Sequence, residues 1–342
     1  MLKNRGLKTV VLWLVVALMT ISMAAFAAPA GKKRVYYYVG NFTGHPYFYD
    51  MHLGFKYAAQ KFGCEIIKMG PDGWDPKAQS EALEQAISKK PDGIVTVMYD
   101  ASPRPAVKRA MQAGIPVVVV EANVEDNGAL AYIGLDNYQA GVDTAKELIK
   151  QAGTTGNVVC QGNWGASNTD AKVKGFEDYI KSHSKWQIVG RVDDKANTEA
   201  SIEAAKSAFN NYKNMNAIVG LDSSSGPGIG AAMEELKINP EKVTVICHDR
   251  EDTALEYIKK GFIKASLINK TASSAYQAIL MLEAWNDDNI GIKLVPISRN
   301  NIKAKVNALP ELQYLGTAII NKDNVDEFMH QNIPQFDTKL FH

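Results

Sequence analysis

The sequence predicts an α/β protein with two doubly wound, parallel-sheet lobes of the Rossmann-like kind. Val117–Val120 is a run of four β-branched residues, which is typical of a strand buried on both faces with helices above and below it. Val243–Cys247 repeats this pattern in the second half of the chain. Strand and helix patterns alternate around both runs, as they do when right-handed crossovers join parallel strands. Two such series predict two lobes.

The first series begins with a strand at 35–40 and a helix that Pro46 opens, because proline suits the first turn of a helix. Apolar residues recur on one face of that helix as far as residue 62. A later helix from about 76 ends before Pro91, since the position before a proline disfavours helical backbone. The other elements predicted in this half are strands at 64–69, 94–98, 116–120 and 132–134, and helices at 105–113 and after 136.

The second series follows the same order of strand and helix. Its predicted strands are at 157–161, 187–192, 217–221, 243–247 and 265–268. Its predicted helices run through 176–180, 202–209, 229–236, 254–258 and 273–285. The tail adds a strand at 316–320 and a short helix at 324–329, and we expect residues 331–342 to be loose.

Composition indicates a globular protein with room for two domains. The chain has 342 residues, of which 46% are hydrophobic and 22% charged, and its net charge of +1 does not predict nucleic acid or an anionic membrane as partner. Cys64, Cys160 and Cys247 fall in or beside predicted strands, where cysteine packs as a small buried residue. Without a C-x-x-C pair, neither redox chemistry nor structural zinc is indicated, and we expect no cofactor.

The N-terminus is typical of a secretory signal peptide. Basic residues at 3, 5 and 8 precede an apolar stretch at 10–23, and small residues follow at 24–30. The alternative is a membrane anchor, for which the apolar stretch is short. We therefore predict a signal peptide at 1–28, cleaved near Ala27 or Ala28, and export to the periplasm. A lipid anchor is not expected, because no cysteine lies at that junction.

The usual catalytic signatures are missing from the sequence. It has no H-E-x-x-H, no G-x-S-x-G and no phosphate loop ending in G-K-[ST]. The glycines at 226–230 are interpreted as a tight turn. His45 and His52 are seven residues apart, and we do not interpret them as metal ligands. The sequence therefore favours a binding protein over an enzyme.

Polar and aromatic side chains follow several predicted strands. In open α/β sheets, ligands sit just beyond the carboxyl ends of the strands. Carboxylates and amides hydrogen-bond hydroxyl groups, and aromatic faces cover the C–H face of a sugar ring, so this set suits a polyhydroxylated ligand. The predicted ligand-binding residues are His45, Tyr47, Phe48, Glu121, Asn123, Trp164, Asn168, Asp170, Asp222, Asp249 and Asn269.

Other roles stay open for part of this set. Asp222 and Asp249 precede predicted helices and can act as helix caps, a role that we assign to Asp136 in preference to ligand binding. Tyr47 and Phe48 can instead belong to the core of the first helix.

Several segments together resemble one known family. They are 45–48 after the first strand, 115–121, 133–137, 174–176, 217–222, 245–249 and 264–269. Over about residues 33–300, the chain is similar to periplasmic sugar-binding proteins of the ribose-binding type, which share their fold with the ligand domains of lactose-repressor-like regulators.

By this resemblance, Tyr47 and Phe48 match the family's stacking aromatics, with His45 a polar residue beside them. Glu121, Asp222, Asp249 and Asn269 match its polar contacts. Ala122 and Asp170, however, stand where ribose binders carry arginines, which argues against ribose as the ligand. The site is acid-rich, so either Lys172 or Arg250 offsets the charge, or the ligand is a polyol, a deoxy sugar or an amino sugar.

The resemblance also implies the architecture and the partners. Three hinge crossovers near Asp136, 269–270 and 298–300 would join a first lobe at 33–136 and 270–297 to a second at 137–269 and 298–342. A monosaccharide or polyol would be held in the cleft between the lobes, whose closed form a membrane permease of an ATP-driven (ABC) importer would recognise. We expect a monomer.

Three other functions are compatible with an α/β chain of this kind. The first is a sensor that presents a sugar or furanose-like signal to a membrane receptor or chemoreceptor. The second is an enzyme on a similar scaffold, which the missing catalytic motifs disfavour. The third is a transcription regulator, which the signal peptide disfavours because it stands where the DNA-binding helices should be.

Overall fold

The computed structural model describes residues 33–286 and 311–332. The strands in this part are β1 (Val35–Val39), β2 (Glu65–Met69), β3 (Gly93–Thr96), β4 (Val117–Glu121), β5 (Ala131–Gly134), β6 (Thr155–Gly162), β7 (Lys185–Asp193), β8 (Ala217–Gly220), β9 (Thr244–His248), β10 (Ala265–Ile268), β11 (Leu312–Tyr314) and β12 (Ala318–Asn321). The predicted signal peptide lies outside the described residues.

Helices alternate with these strands. They are α1 (Tyr49–Phe62), α2 (Pro76–Ser88), α3 (Arg104–Gln112), α4 (Asn137–Ala152), α5 (Ser167–His183), α6 (Thr198–Asn211), α7 (Ser225–Glu235), α8 (Asp252–Lys259) and α9 (Thr271–Asn286). Short 3₁₀ turns lie at Pro46–Phe48, Val325–Phe328 and His330–Asn332. In residues 33–286 and 311–332, no helix combines the length and the apolar character that crossing a bilayer requires.

The strands form two sheets, one for each lobe, and this confirms the predicted fold class. The first has the order β11-β5-β4-β3-β1-β2, with every described pair parallel. The second has the order β12-β10-β9-β8-β6-β7, in which β12 runs antiparallel to β10 and the other described pairs are parallel.

The four valines of β4 account for the packing of the first lobe. Val118 and Val120 pack into the core on one side of the sheet, and Val117 and Val119 into the core on the other. All four are fully buried, as predicted for a strand covered on both faces. β9 repeats this arrangement, with Val245 on one face and Ile246 on the other.

The chain passes from the first sheet to the second after β5, returns after β10, and crosses again between β11 and β12. Only residues 315–317 separate β11 from β12. The assignment of all of 298–342 to the second lobe was wrong for β11, which pairs in parallel with β5 at the edge of the first sheet. The crossover predicted at 298–300 lies outside the described residues.

The tail differs from its prediction in one further detail. We expected 331–342 to be loose, whereas Gln331 and Asn332 belong to a 3₁₀ turn that Asn332 anchors by donating from Nδ2 to the Asp326 carbonyl at 2.6 Å. Residues 333–342 lie outside the described part.

Candidate functional site

A cavity lies where the carboxyl ends of the strands of both sheets meet. The segments that follow β1, β3 and β4 line it from the first lobe, and those that follow β6, β7, β8 and β9 line it from the second. The lining residues are Phe42, His45, Tyr47, Phe48, Tyr99, Glu121, Asn163, Ala166, Asn168, Thr169, Lys172, Ala196, Asp222, Ser223 and Asp249.

Glu121 is the most constrained acid on the first-lobe side. It ends β4 with a left-handed backbone, φ +67°, which turns the side chain out of the strand. The Tyr47 hydroxyl donates to Glu121 Oε2 at 2.5 Å, and Asn269 Nδ2 donates to the same oxygen at 2.6 Å. Burial raises the pKa of Glu121, against the opposing effects of Tyr47, Lys172 and Asn269. Oε1 accepts no hydrogen bond from the described residues.

Asp222 faces the cavity from the end of β8. Its carboxylate accepts backbone N–H groups from Asn163 at 2.8 Å and from Ser224 at 2.8 Å, so it organises the local loops as well as lining the cavity. Asp194 is fully buried nearby, and Ser225 Oγ donates to its Oδ2 at 2.6 Å. Burial, together with the charge of Asp222, raises the pKa of Asp194, which favours a protonated Asp194.

Asp249 follows β9 and also has a left-handed backbone, φ +70°. Its side chain is only 6% exposed, and within the part of the chain that the structure describes its carboxylate accepts no hydrogen bond. Burial raises the pKa of Asp249, and the charges of Glu121 and Asp222 raise it further, against the effect of Lys172. Asp249 therefore lines the cavity as an acceptor that has no donor among the described residues.

Lys172 is the cation of the cavity lining. It lies on α5, is almost fully buried, and donates from Nζ to the Leu221 carbonyl at 3.1 Å. His45 contributes a neutral imidazole, because burial lowers its pKa against an opposing effect of Asp222. Its Nδ1 accepts the Tyr47 N–H at 3.2 Å, which assigns the ring proton to Nε2.

Aromatic rings form the apolar part of the lining. Tyr47 and Phe48 pack edge to face with ring centroids 5.1 Å apart, and Phe48 is also part of the hydrophobic core of the first lobe. Phe42 contacts Tyr99 edge to face at 6.2 Å. The two roles weighed for Tyr47 and Phe48, core packing and cavity lining, thus coexist.

The structure brings most of the predicted site residues together. His45, Tyr47, Phe48, Glu121, Asn168, Asp222 and Asp249 line the cavity. Asn269 reaches the site through its hydrogen bond to Glu121 and lines a smaller adjoining cavity with Asp50, Arg250 and Glu251.

The other three predicted residues line neither of these two cavities. Asn123 Oδ1 accepts a hydrogen bond from Asn127 at 2.6 Å inside the loop after β4. Trp164 packs against the second core and donates to the Val192 carbonyl at 3.1 Å. Asp170 is exposed and accepts the Gly165 N–H at 3.1 Å, which fixes the turn before α5. Each of these side chains hydrogen-bonds a nearby group of its own lobe instead of lining the cavity.

Eight lining residues are not in the predicted set: Phe42, Tyr99, Asn163, Ala166, Thr169, Lys172, Ala196 and Ser223. Tyr99, Asn163 and Ser223 follow strands, so the rule that identified Glu121 applies to them equally. Thr169 and Lys172 lie inside a helix, where only the orientation of α5 brings them to the cavity. In the described ranges, no group of three or more histidine, cysteine, aspartate or glutamate side chains could hold a metal ion.

Residues 36–286 match the family described as the periplasmic binding protein domain, and this match covers most of the chain. The chain belongs to that family. The cavity between the strand ends of two sheets agrees with the resemblance to periplasmic sugar-binding proteins found in the sequence.

Curated relatives of this periplasmic binding protein are named for sugars or polyols. The xylitol-binding protein of Mycolicibacterium smegmatis is 23% identical over 201 residues, 58% of this chain and 57% of that protein. The D-xylose-binding periplasmic protein of Escherichia coli is 25% identical over 281 residues, 72% of this chain and 82% of that protein. The chain thus spans little more than half the length of the first of these relatives.

Solved structures share the fold over nearly the whole described chain. The arabinose-binding protein of Geobacillus stearothermophilus has a TM-score of 0.74 and 26% identity, covering 87% of this chain and 99% of that one. XylFII in its complex with LytSN also has a TM-score of 0.74, with 27% identity, covering 85% and 99%. These relatives and neighbours are named as binding proteins, and the family to which the chain belongs is one of binding proteins, in agreement with the prediction from the sequence.

Proposed function

We propose that this protein captures a monosaccharide or related polyol between its two lobes and delivers it to an ATP-driven (ABC) importer. One observation carries the proposal: a single cavity is lined from the strand ends of both sheets by aromatic rings together with carboxylate and amide groups. Relatives named for xylitol and D-xylose, and a neighbour named for arabinose, support the same ligand class.

The lining chemistry suits hydroxyl groups. Glu121 Oε1, the Asp249 carboxylate and Asn168 Oδ1 accept no hydrogen bond from residues that the structure describes, so each is open to a ligand hydroxyl. A ligand without such donors would leave these acceptors unpaired, at a cost of about 1–3 kcal/mol each. Aromatic rings at Phe42, Tyr47 and Tyr99 offer flat apolar faces for the C–H groups of a sugar.

Ligand contact with both lobes would stabilise the closed form. Tyr47 and Glu121 come from the first lobe, and Asn168, Asp222 and Asp249 from the second. A ligand shifts a hinge equilibrium only by its difference in affinity for the two forms, and a ligand that bridges the lobes has such a difference. The closed form is the state that a membrane permease would recognise. Export to the periplasm, removal of residues 1–28 and a monomeric state are part of the proposal.

A sensor is the second candidate function. XylFII, similar in fold and 27% identical, is found in a complex with a second protein, LytSN. By that comparison, the closed form would present its sugar signal to a membrane receptor or chemoreceptor.

A thermal-shift screen of pentoses, hexoses, deoxy sugars and polyols tests ligand binding. We expect one or a few of them to raise the melting temperature, because a ligand that binds only the folded state stabilises it. No shift with any member of the four classes would contradict the proposal. Uptake of the labelled hit by cells that lack this chain then separates the two functions: lost uptake supports the importer, and unchanged uptake with a lost transcriptional response supports the sensor.

A further inference from the structure

The cavity carries more negative than positive charge. Three carboxyl groups line it, those of Glu121, Asp222 and Asp249, and Lys172 is the one lysine or arginine in the lining of the described chain. His45 is neutral. Arg250 does not line the cavity, because its Nε donates to Asp50 Oδ2 at 2.6 Å and its Nη1 to the Phe328 carbonyl at 2.8 Å.

The three carboxylates differ in the hydrogen bonds that they accept. Backbone N–H groups already hydrogen-bond Asp222, and Tyr47 and Asn269 already donate to Glu121. Asp249 differs because it has no donor in the described structure although it is 94% buried, the complement of its 6% exposure. A buried carboxylate in this position either takes up a proton or binds a cation.

The groups that face Asp249 increase this need. Glu121, Asp222 and Glu251 all act on it with the same sign of charge, and Lys172 alone opposes them. Both carboxylate oxygens of Glu251 are buried in the adjoining cavity, and among the described residues they have no partner other than the backbone N–H of Glu251 itself. Lys172 donates one of its three N–H groups to the Leu221 carbonyl, which leaves two for other acceptors.

An ammonium group on the ligand meets all of these conditions. It carries three hydrogen-bond donors and a positive charge, whereas a hydroxyl group carries one donor and no charge. Asn168 Oδ1, buried and unpartnered in the described structure, supplies a further acceptor in the same cavity. The rings of Phe42 and Tyr99 line that cavity, and aromatic faces attract cations.

We infer that the ligand bears a protonated amine beside its hydroxyl groups, so that an amino sugar or an amino-deoxy polyol binds with its ammonium at Asp249. This inference rests on the proposed function, since it specifies which member of the polyhydroxylated class the same cavity selects. An anionic ligand, such as a sugar acid or a sugar phosphate, would instead meet the carboxylates with like charge.

The test uses matched ligand triplets and calorimetry at pH 7. Each triplet has a neutral parent, its amino-deoxy analogue and the N-acetyl form of that analogue, which keeps the nitrogen and removes the charge. Galactose, galactosamine and N-acetylgalactosamine form one triplet, and the gluco and manno series form two more. Sorbitol and 1-amino-1-deoxysorbitol extend the comparison to polyols. We expect at least one amine to bind about tenfold or more tightly than its parent and its N-acetyl form.

Variants locate the effect at Asp249. In Asp249→Asn the advantage of the amine over its parent should disappear, and in Lys172→Met it should increase, because the competing cation is gone. Asp170→Asn is the matched control, since Asp170 is an exposed carboxylate of the same lobe outside the cavity, and it should leave the advantage unchanged. Circular dichroism and melting curves establish that each variant is folded.

The possible failures are distinguishable. Neutral parents that bind as tightly as their amines, or more tightly, would overturn the ammonium inference and leave the proposed function standing. An amine advantage that persists in Asp249→Asn would overturn the assignment of the ammonium to Asp249. Absence of binding by every amine would overturn the inference, and the further absence of any hit in the screen of pentoses, hexoses, deoxy sugars and polyols would overturn the proposed function as well.

Discussion

Asp50 and Arg250 join the two lobes through a salt bridge. Asp50 lies in the first turn of α1, which packs on the first sheet, and Arg250 follows β9 of the second sheet. Arg250 Nε donates to Asp50 Oδ2 at 2.6 Å, and its Nη2 donates to Asp50 Oδ1. Each side chain is 16% exposed, so solvent screens the pair only in part. This contact links the two lobes in the lining of the smaller adjoining cavity.

Replacing Asp50 by Asn should shift the ligand-free protein toward an open form. The change removes the negative charge of the pair. The closed form should then lose about 2 kcal/mol of stabilisation, the typical contribution of a hydrogen bond to a charged group. Affinity for the ligand should fall along with the closed population, because ligand binds the closed form. Small-angle X-ray scattering of the ligand-free protein measures the opening, and calorimetry measures the affinity.

Asp178→Asn is the control for this pair. Asp178 forms an exposed salt bridge with Lys174 inside α5, at 2.7 Å and within one lobe. Its loss should leave both the scattering profile and the affinity unchanged. An Asp50→Asn variant with the scattering profile of the wild type would contradict the role of the salt bridge.

Stability of the ligand-free protein should decrease as pH rises above about 4, the ordinary carboxyl pKa. Asp194 and Asp249 have raised pKa values in the folded chain, chiefly through burial, with neighbouring carboxylates adding to the effect. The folded state therefore holds protons that the unfolded state has released, and this lowers the free energy of unfolding with rising pH. Urea unfolding between pH 4.5 and pH 8 measures the slope. The double variant Asp194→Asn/Asp249→Asn should reduce the slope and leave the part that Glu121 and Glu251 contribute, because burial raises their pKa values too, and an equal slope in that variant would refute the assignment.

Tyr47→Phe should weaken ligand binding without unfolding the first lobe. The substitution keeps the ring that contacts Phe48 and removes the hydroxyl that donates to Glu121 at 2.5 Å. Glu121 is then held by Asn269 alone, and we expect a loss of about 1–2 kcal/mol in binding free energy, roughly tenfold in affinity. Calorimetry with the screened ligand measures this. Tyr138→Phe removes a hydroxyl that contacts Asp178 on the surface and should have no effect; equal losses in both variants would argue against a specific role for Tyr47.

Gly141→Ala should destabilise the second lobe and disturb Lys172. Gly141 of α4 packs so closely on α5 that a Cβ there would overlap the Lys172 carbonyl. Separating two packed helices to relieve such an overlap costs about 1–3 kcal/mol. Gly73→Ala is the matched control, because a Cβ at Gly73 meets nothing within 4 Å. Chemical denaturation of both variants measures the difference, and equal stabilities would show that α4 and α5 can separate freely.

Much of the fold is encoded locally, and this is why the sequence predicts it. The valines of β4 specify a strand buried on both sides, and Pro46 and Pro76 mark the beginnings of helical segments. β11 was not predicted because Leu312–Tyr314 has three residues, two of them exposed, and so lacks a hydrophobic pattern of its own. Its place beside β5 depends on tertiary pairing.

The site is predictable as far as strand ends decide it. Glu121 ends β4, Asp249 directly follows β9 and Asp222 lies two residues beyond β8, and all three line the cavity. The same rule predicts Asn123 and Trp164 there too, but Asn123 accepts a hydrogen bond from Asn127 inside its loop, and Trp164 donates to the Val192 carbonyl and packs against the hydrophobic core of the second lobe. Lys172 and Thr169 could not be found in this way, since a helix must first dock before its inward face is defined.

The short stretch 315–317 restricts how the molecule can open. It leaves the edge of one sheet and enters the edge of the other within a span of roughly 14 Å at full extension. At this edge the two lobes can rotate relative to each other but cannot separate by more than that span, so residues 315–317 act as a tether. A protease cut within these three residues would remove this restraint on opening without touching any residue that lines the cavity.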